Sequence, residues 1–260
     1  MPPTNPTAPL LANVLGIGVS AIDMREALRL SDDFLQQGRK GYICVTGVHG
    51  IMEAQRDNAL RNALNRALLC TPDGMPTVWV GRLQGHSGMR RVYGPDFMLA
   101  MCQLSVTRGY RHFLYGGKAG VAAKLQRCLE ERIPGVQIVG TYTPPFRPLS
   151  PPEEDDLIAL VHQRRPDIMW IGLSTPKQER FMVRMTERLD ATLMVGVGAA
   201  FDIHCGQLAD APEWMKNSGL QWLHRLWQEP HRLWRRYLLN NPRFLWNIAL
   251  QFCRGGGNLS

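Results

Sequence analysis

Five short stretches set reactive or phosphate-tolerant residues beside glycine or proline, and each has a structural reading next to a chemical one. In "CTPDGMP" (70–76), Asp73 occupies an Asp-Gly turn just before the apolar run at 77–83. Asp-Gly is a common turn pair, and a carboxylate held there near an acceptor hydroxyl also serves as a general base. In "TGVHG" (46–50), Thr46 and His49 follow an apolar run. A lone histidine is usually structural, though it is also the side chain that titrates near neutrality. "LYGGKAG" (114–120) joins an apolar run to a helical pattern through Gly116 and Gly117. Glycines there let backbone amides approach a phosphate, or simply make a turn; the pattern is neither a dinucleotide fingerprint nor a Walker loop. "GLSTPKQERFM" (172–182) offers Ser174 or Thr175 as a helix cap and Pro176 as the first helical residue. Its chemical reading turns Lys177 and Gln178 toward a ligand crevice. "VGVGAAFDIHCGQ" (195–207) sets Asp202 among three glycines, as a structural carboxylate or a partner for sugar hydroxyls.

No D-x-D motif follows a predicted strand, and the acids of "SPPEEDD" (150–156) suit the positive end of a helix. No metal site and no cofactor are therefore expected. The six cysteines are scattered without C-x-x-C spacing, which argues against zinc or a disulfide framework and fits a reducing cytoplasm.

The stretch "LQWLHRLWQEPHRLWRRYLLNNPRFLW" (220–246) interleaves tryptophan and arginine. Five of the seven tryptophans lie between Trp214 and Trp246, and from Glu213 to Arg254 seven Lys/Arg face two Asp/Glu. Much of the net charge of +8 therefore sits here, and it asks for an anionic partner. No apolar run reaches the roughly 18–20 residues of a membrane span, so a membrane contact would lie on the surface.

Elements that could position these residues follow from the apolar periodicity. Apolar runs at 13–22, 41–47, 77–83, 112–117, 136–142, 167–173 and 192–198 alternate with helical patterns, among them one long helix over 50–69. Such alternation predicts an α/β, Rossmann-like, mostly parallel sheet flanked by helices, with ligands at the carboxyl ends of strands. After Pro212 only helices follow, with new starts near Pro230 and Pro242. The expected division is a disordered lead-in at 1–12, an α/β catalytic body at 13–210, and a helical, membrane-associating appendage at 211–260 that ends in a loose "RGGGNLS".

Six stretches, "PDG", "RVYGPD", "LYGGKAGVA", "GLSTPKQE", "GVGAAFD..CGQLADAPEWM" and "GLQWLHRLWQEPHRLWRRYL", occur in the order that resembles the WecG/TagA/CpsF family of bacterial glycosyltransferases, from about Gly16 to Leu245. The resemblance implies a cytoplasmic, metal-independent, inverting enzyme. It would move a sugar from a UDP-sugar to a polyprenyl-diphosphate-linked saccharide at the inner face of the cytoplasmic membrane, for surface polysaccharides. Glucose, N-acetylmannosamine and its uronic acid are all donors it permits. It places Asp73 on the family's proposed general base, and Gln178 and Arg91 on pocket positions. Arg225, Arg232 and Arg235 fall on appendage arginines thought to steady the donor diphosphate. Thr46, His49, Gly116, Gly117 and Asp202 complete the expected substrate pocket. The chain departs from the family at "VTGVHG", where Gly47 stands in place of an asparagine and His49 in place of an acid.

On a continuous helix Arg225, Arg232 and Arg236 lie on nearly one face, with Arg235 one step round. Trp227, Trp234 and Leu238 are then left to press on lipid or on the body. A nucleic-acid-binding module, whose aromatics stack bases, and a non-catalytic nucleotide-sugar-binding protein are the competing readings. Charge concentrated beside prolines, next to a crevice-bearing body, weighs against the first, and Asp73 against the second. No nucleic-acid partner is therefore expected, and a homo-oligomer is left open.

Overall fold

Runs such as "YICVT", "HFLYG" and "IMWIG" are apolar on both faces of a strand, so they form stably only where helices cover both sides. The computed structural model, which describes residues 8–255, has this architecture. Its elements begin with β1 (Leu11–Val14), β2 (Ile17–Ser20), α1 (Met24–Gln36), β3 (Gly41–Thr46), α2 (Val48–Ala54), α3 (Asn58–Arg66), β4 (Leu69–Pro72) and α4 (Met75–Leu83). They continue with α5 (Gly94–Arg108), β5 (Arg111–Gly116), α6 (Val121–Arg132), β6 (Gln137–Tyr142), α7 (Pro151–Arg164), β7 (Ile168–Gly172), α8 (Lys177–Met185), β8 (Leu193–Gly196) and α9 (Ala200–His204). Three helices follow: α10 (Glu213–Asn217), α11 (Gln221–Gln228) and α12 (Pro230–Cys253).

The six-stranded sheet has the order β4-β3-β8-β7-β5-β6. The pairs β3–β8, β8–β7, β7–β5 and β5–β6 are all parallel, as crossover helices require. The chain forms two compact units. One is drawn from Met1–Leu30, Val45–Tyr93 and Asp210–Ser260, the other from Ser31–Cys44 and Gly94–Ala209.

Several expected elements are corrected. The run at 13–22 is an antiparallel hairpin of β1 and β2, because Leu15 and Gly16 both take positive φ, 55° and 80°, and turn the chain. The single helix expected over 50–69 breaks near Gln55. Asp57 starts α3 by accepting from the Leu60 amide at 3.1 Å, and Leu69–Pro72 leaves to form β4. The run "TVWVGRL" is helical, not a strand. Pro76 sits in the first turn of α4, and Thr77, Val78, Val80 and Gly81 are buried at helical spacing. The acids of 153–156 do open a helix. Glu153 and Ser150 form a capping box, and Glu154 pairs with Arg184 and Arg188 at 2.5 and 2.6 Å. Pro230 starts α12 as expected, but Pro242 lies inside that helix, between the buried Asn240 and Phe244 that hold it in register. The expected lead-in falls largely on residues 1–7 and the loose end on 256–260, outside the described residues.

The second unit is built around Trp170, wholly buried on β7. Its indole N–H donates to Nδ1 of the equally buried His112 at 2.9 Å, and burial pushes the imidazole down to about 4. No helix of the described residues is long and apolar enough to cross a membrane.

Candidate active site

In the first unit Asp73 follows directly on the end of β4 and precedes α4, so it stands at a strand's carboxyl end rather than before a strand. Its amide donates to the carbonyl of Thr46, the last residue of β3, at 3.1 Å. This bond sets the carboxylate beside the start of α2, where a Cβ on Gly47 would lie 3.8 Å from Asp73 Oδ2. Thr46 is buried, and its hydroxyl has no hydrogen-bond partner. His49 lies in the first turn of α2. Its Nδ1 is 3.4 Å from Asn240 Nδ2 on α12 and 3.9 Å from Glu53 Oε1.

The segment leading to Arg91 is fixed by the Val92 amide, which donates to the Pro72 carbonyl at 2.8 Å, one residue from Asp73. The Arg91 guanidinium lies 4.8 Å from the Tyr93 ring centre and donates to Gln221 Oε1 at 3.4 Å. The Tyr93 hydroxyl donates to Asp210 at 2.9 Å, and the buried Lys216 donates to the other oxygen of Asp210 at 3.0 Å. Burial, helped by the carboxylates of Asp210 and Asp73, raises the Tyr93 pKa, so the phenol stays a donor.

The arginines do not share one continuous helix. At Glu229 the backbone turns to φ −131°, ψ 58°, ending α11 and opening α12. The Glu229 carboxylate accepts from Arg225 at 3.0 Å and from Arg232 at 2.6 Å, so one acid serves two guanidiniums. Arg235 is exposed and stacks over Trp234 at 5.2 Å. Its neighbour Arg236 instead lies one turn before the buried Asn240 and is half-buried. Burial lowers the Arg236 pKa, the Tyr237 hydroxyl opposes that, the charges of Arg225 and Arg232 add to the lowering, and the Asp73 carboxylate opposes it least. The Nε groups of Arg225 and Arg236 are both buried without a hydrogen-bond partner. Buried N–H donors left over in this way are costly unless an acceptor arrives. Sequence reasoning placed Arg236 on the face of Arg225 and Arg232 but gave the diphosphate role to Arg235, and it missed Glu229. The Glu229-Pro230 pair carried the signal, since proline at a helix's first turn marks a break that shifts the phase of every later residue.

The second unit holds the other expected residues. Gly116 (φ 128°) and Gly117 (φ 75°) end β5, and a Cβ on Gly116 would come within 2.6 Å of the Gly172 carbonyl oxygen. The backbone alone therefore requires glycine there. Gln178 opens α8 and is 3% exposed. Its Nε2 donates to Glu179 Oε1 at 3.1 Å, while its Oε1 has no hydrogen-bond partner. The Thr175 hydroxyl donates to the same Glu179 oxygen at 2.8 Å. Neither Ser174 nor Thr175 is the side-chain cap expected; Pro176 takes the N-cap position, without a side-chain bond. The Asp202 carbonyl accepts from the amides of Gln207 and Leu208 at 2.9 and 3.0 Å, which closes the turn after α9. Among the described residues no group of three or more His, Cys, Asp and Glu is arranged to hold a metal ion.

A carboxylate at a strand end and in the field of a half-buried arginine suits proton abstraction beside a departing anion. Comparison with known proteins gives the family. The model of the "Glycosyl transferase WecG/TagA/CpsF family" matches residues 12–257. The chain is also 26% identical over 216 residues to an N-acetylglucosaminyldiphosphoundecaprenol N-acetyl-beta-D-mannosaminyltransferase of Bacillus spizizenii, covering 83% of this chain and 81% of that relative. The chain belongs to the WecG/TagA/CpsF family and is a glycosyltransferase.

Proposed function

We propose that the enzyme moves a hexose-type sugar from a UDP-sugar to a polyprenyl-diphosphate-linked saccharide, with inversion and without a metal, in surface polysaccharide synthesis. The observation that carries this reading is Asp73 directly after β4, held by its amide's bond to the Thr46 carbonyl at the end of β3. The lipid-linked diphosphate in the relative's name supports the acceptor class, and its mannosaminyl group makes N-acetylmannosamine the first donor to test. Glucose and the uronic acid of N-acetylmannosamine follow.

Asp73 takes the proton of an acceptor hydroxyl as that oxygen attacks the anomeric carbon. The new C–O bond forms as the bond to the diphosphate breaks, and UDP leaves with the electron pair. A single displacement from the opposite face inverts the anomeric centre. The negative charge grows on the diphosphate, and Arg225, Arg232 and Arg236 oppose it, with Glu229 giving way as their counter-ion. Within the first unit, Thr46, His49 and Arg91 would contact substrate near Asp73. Within the second unit, Gln178, Asp202 and the backbone at Gly116 and Gly117 are the candidates for contact with the donor.

α12 also turns a second face outward, with Trp234, Leu238, Leu245 and Trp246 exposed, and Trp227 on α11 is 83% exposed. Indole rings beside arginines suit an anionic membrane surface, and this face would hold the enzyme on the inner side of the cytoplasmic membrane. The test is an assay with a UDP-sugar panel and a lipid-linked acceptor, with the product's anomeric configuration read by NMR. Acceptor-dependent transfer with an inverted product supports the reading. A retained configuration, or transfer from no donor, contradicts it.

A further inference from the structure

Gly47 has no structural reason to be glycine. Its φ of −111° and ψ of −171° are extended values open to any residue. A Cβ there would meet only Asp73, at 3.8 Å from Oδ2 and 3.9 Å from Cβ, which is ordinary contact. Gly116 differs, since a Cβ there would drive into backbone. Gly47 is also the N-cap of α2 and makes no side-chain cap bond, where serine, asparagine or aspartate would satisfy a free helix amide. Local stability therefore favours serine, asparagine or aspartate at 47, and glycine leaves open the space a Cβ would fill beside the Asp73 side chain. Immediately before it, the buried Thr46 hydroxyl has no hydrogen-bond partner.

We infer that Gly47 is a specificity-determining position, whose open space takes a polar substituent next to the nucleophilic hydroxyl of the acceptor sugar. This inference rests on Asp73 being the base that meets that hydroxyl. A substituent vicinal to the reacting oxygen must lie against the base, and a wall at 47 would exclude it. An amide or hydroxyl substituent would also have the Thr46 hydroxyl within the same strand end to bond.

The test compares Gly47→Ala, Gly47→Ser and Gly47→Asn with wild type, by thermal melting and by separate KM values for a UDP-sugar and a lipid-linked acceptor. Gly47→Ser and Gly47→Asn should melt at or above the wild-type Tm, and Gly47→Ala slightly below it, because alanine is a poor helix cap. Gly47→Asn should raise the acceptor KM by about tenfold or more, with Gly47→Ala intermediate and the donor KM within about twofold of wild type. A fall in Tm for both Gly47→Ser and Gly47→Asn would show that the fold needs glycine and would overturn the inference. An unchanged acceptor KM in Gly47→Asn, or a rise confined to the donor KM, would overturn it while leaving the transferase reading intact. If wild type transfers no sugar, that reading fails and the inference falls with it.

Discussion

One candidate site in each unit leaves the opposite kind of polar atom unsatisfied. In the first, Arg225 and Arg236 bury N–H groups that no acceptor meets. In the second, Gln178 buries a carbonyl oxygen that no donor meets. A leftover guanidinium donor asks for an anion, and a leftover amide oxygen asks for a hydroxyl or an N–H. Under the proposed reaction the arginines would meet the diphosphate and Gln178 the sugar, although both stretches read in the sequence as polar residues near glycine or proline.

The largest expected effect separates two adjacent arginines. Arg236→Lys should lower kcat/KM for the donor by about 100-fold and weaken UDP binding while sparing uridine, because a bidentate donor at a desolvated anion site is lost. Arg235→Lys, on the exposed side, should stay within about threefold in detergent. Equal losses in the two variants would erase the distinction between the faces of α12.

A pH effect probes the second unit's core. His112 is held neutral, with its pKa lowered to about 4 from 6.5, so its contribution is complete above pH 6.5 and is lost as pH falls toward 4. Stability should drop by about 2 kcal/mol between pH 7 and 5 from this residue, and a His112→Asn variant should lose that part of the pH dependence in urea titrations. A smaller effect should come from Gln178→Ala. Discrimination among UDP-sugars should relax by about tenfold with UDP affinity unchanged, as expected when one hydrogen bond to a sugar is removed. Loss of UDP affinity instead would move Gln178 to the diphosphate side of the comparison.

Much of the fold was legible because strands covered on both faces are apolar throughout, as Ile168–Gly172 and Leu193–Gly196 are. The misreadings have physical causes. "TVWVGRL" is rich in β-branched and aromatic residues, yet Pro76 and the burial of Val78 and Gly81 make it helical. β4 is only four residues long and ends in proline, too little pattern to stand out from the helix before it. Asp73 was legible as a candidate, but its place at a strand's end depended on finding β4. Arg236 was legible on one face with Arg225 and Arg232, but that it is half-buried while Arg235 is exposed needed coordinates. Gly47 was visible as a departure from the family pattern. That it is free of steric demand needed coordinates.

The central claim is that Asp73 is the base. The direct measurement is UDP release with the preferred donor and a lipid-linked acceptor, comparing wild type with Asp73→Asn, alongside a UDP-binding titration of both proteins. The account predicts a loss of about 10²–10⁴-fold in kcat with UDP affinity nearly unchanged, the signature of a lost proton acceptor in a folded site. Wild-type turnover in Asp73→Asn would contradict it.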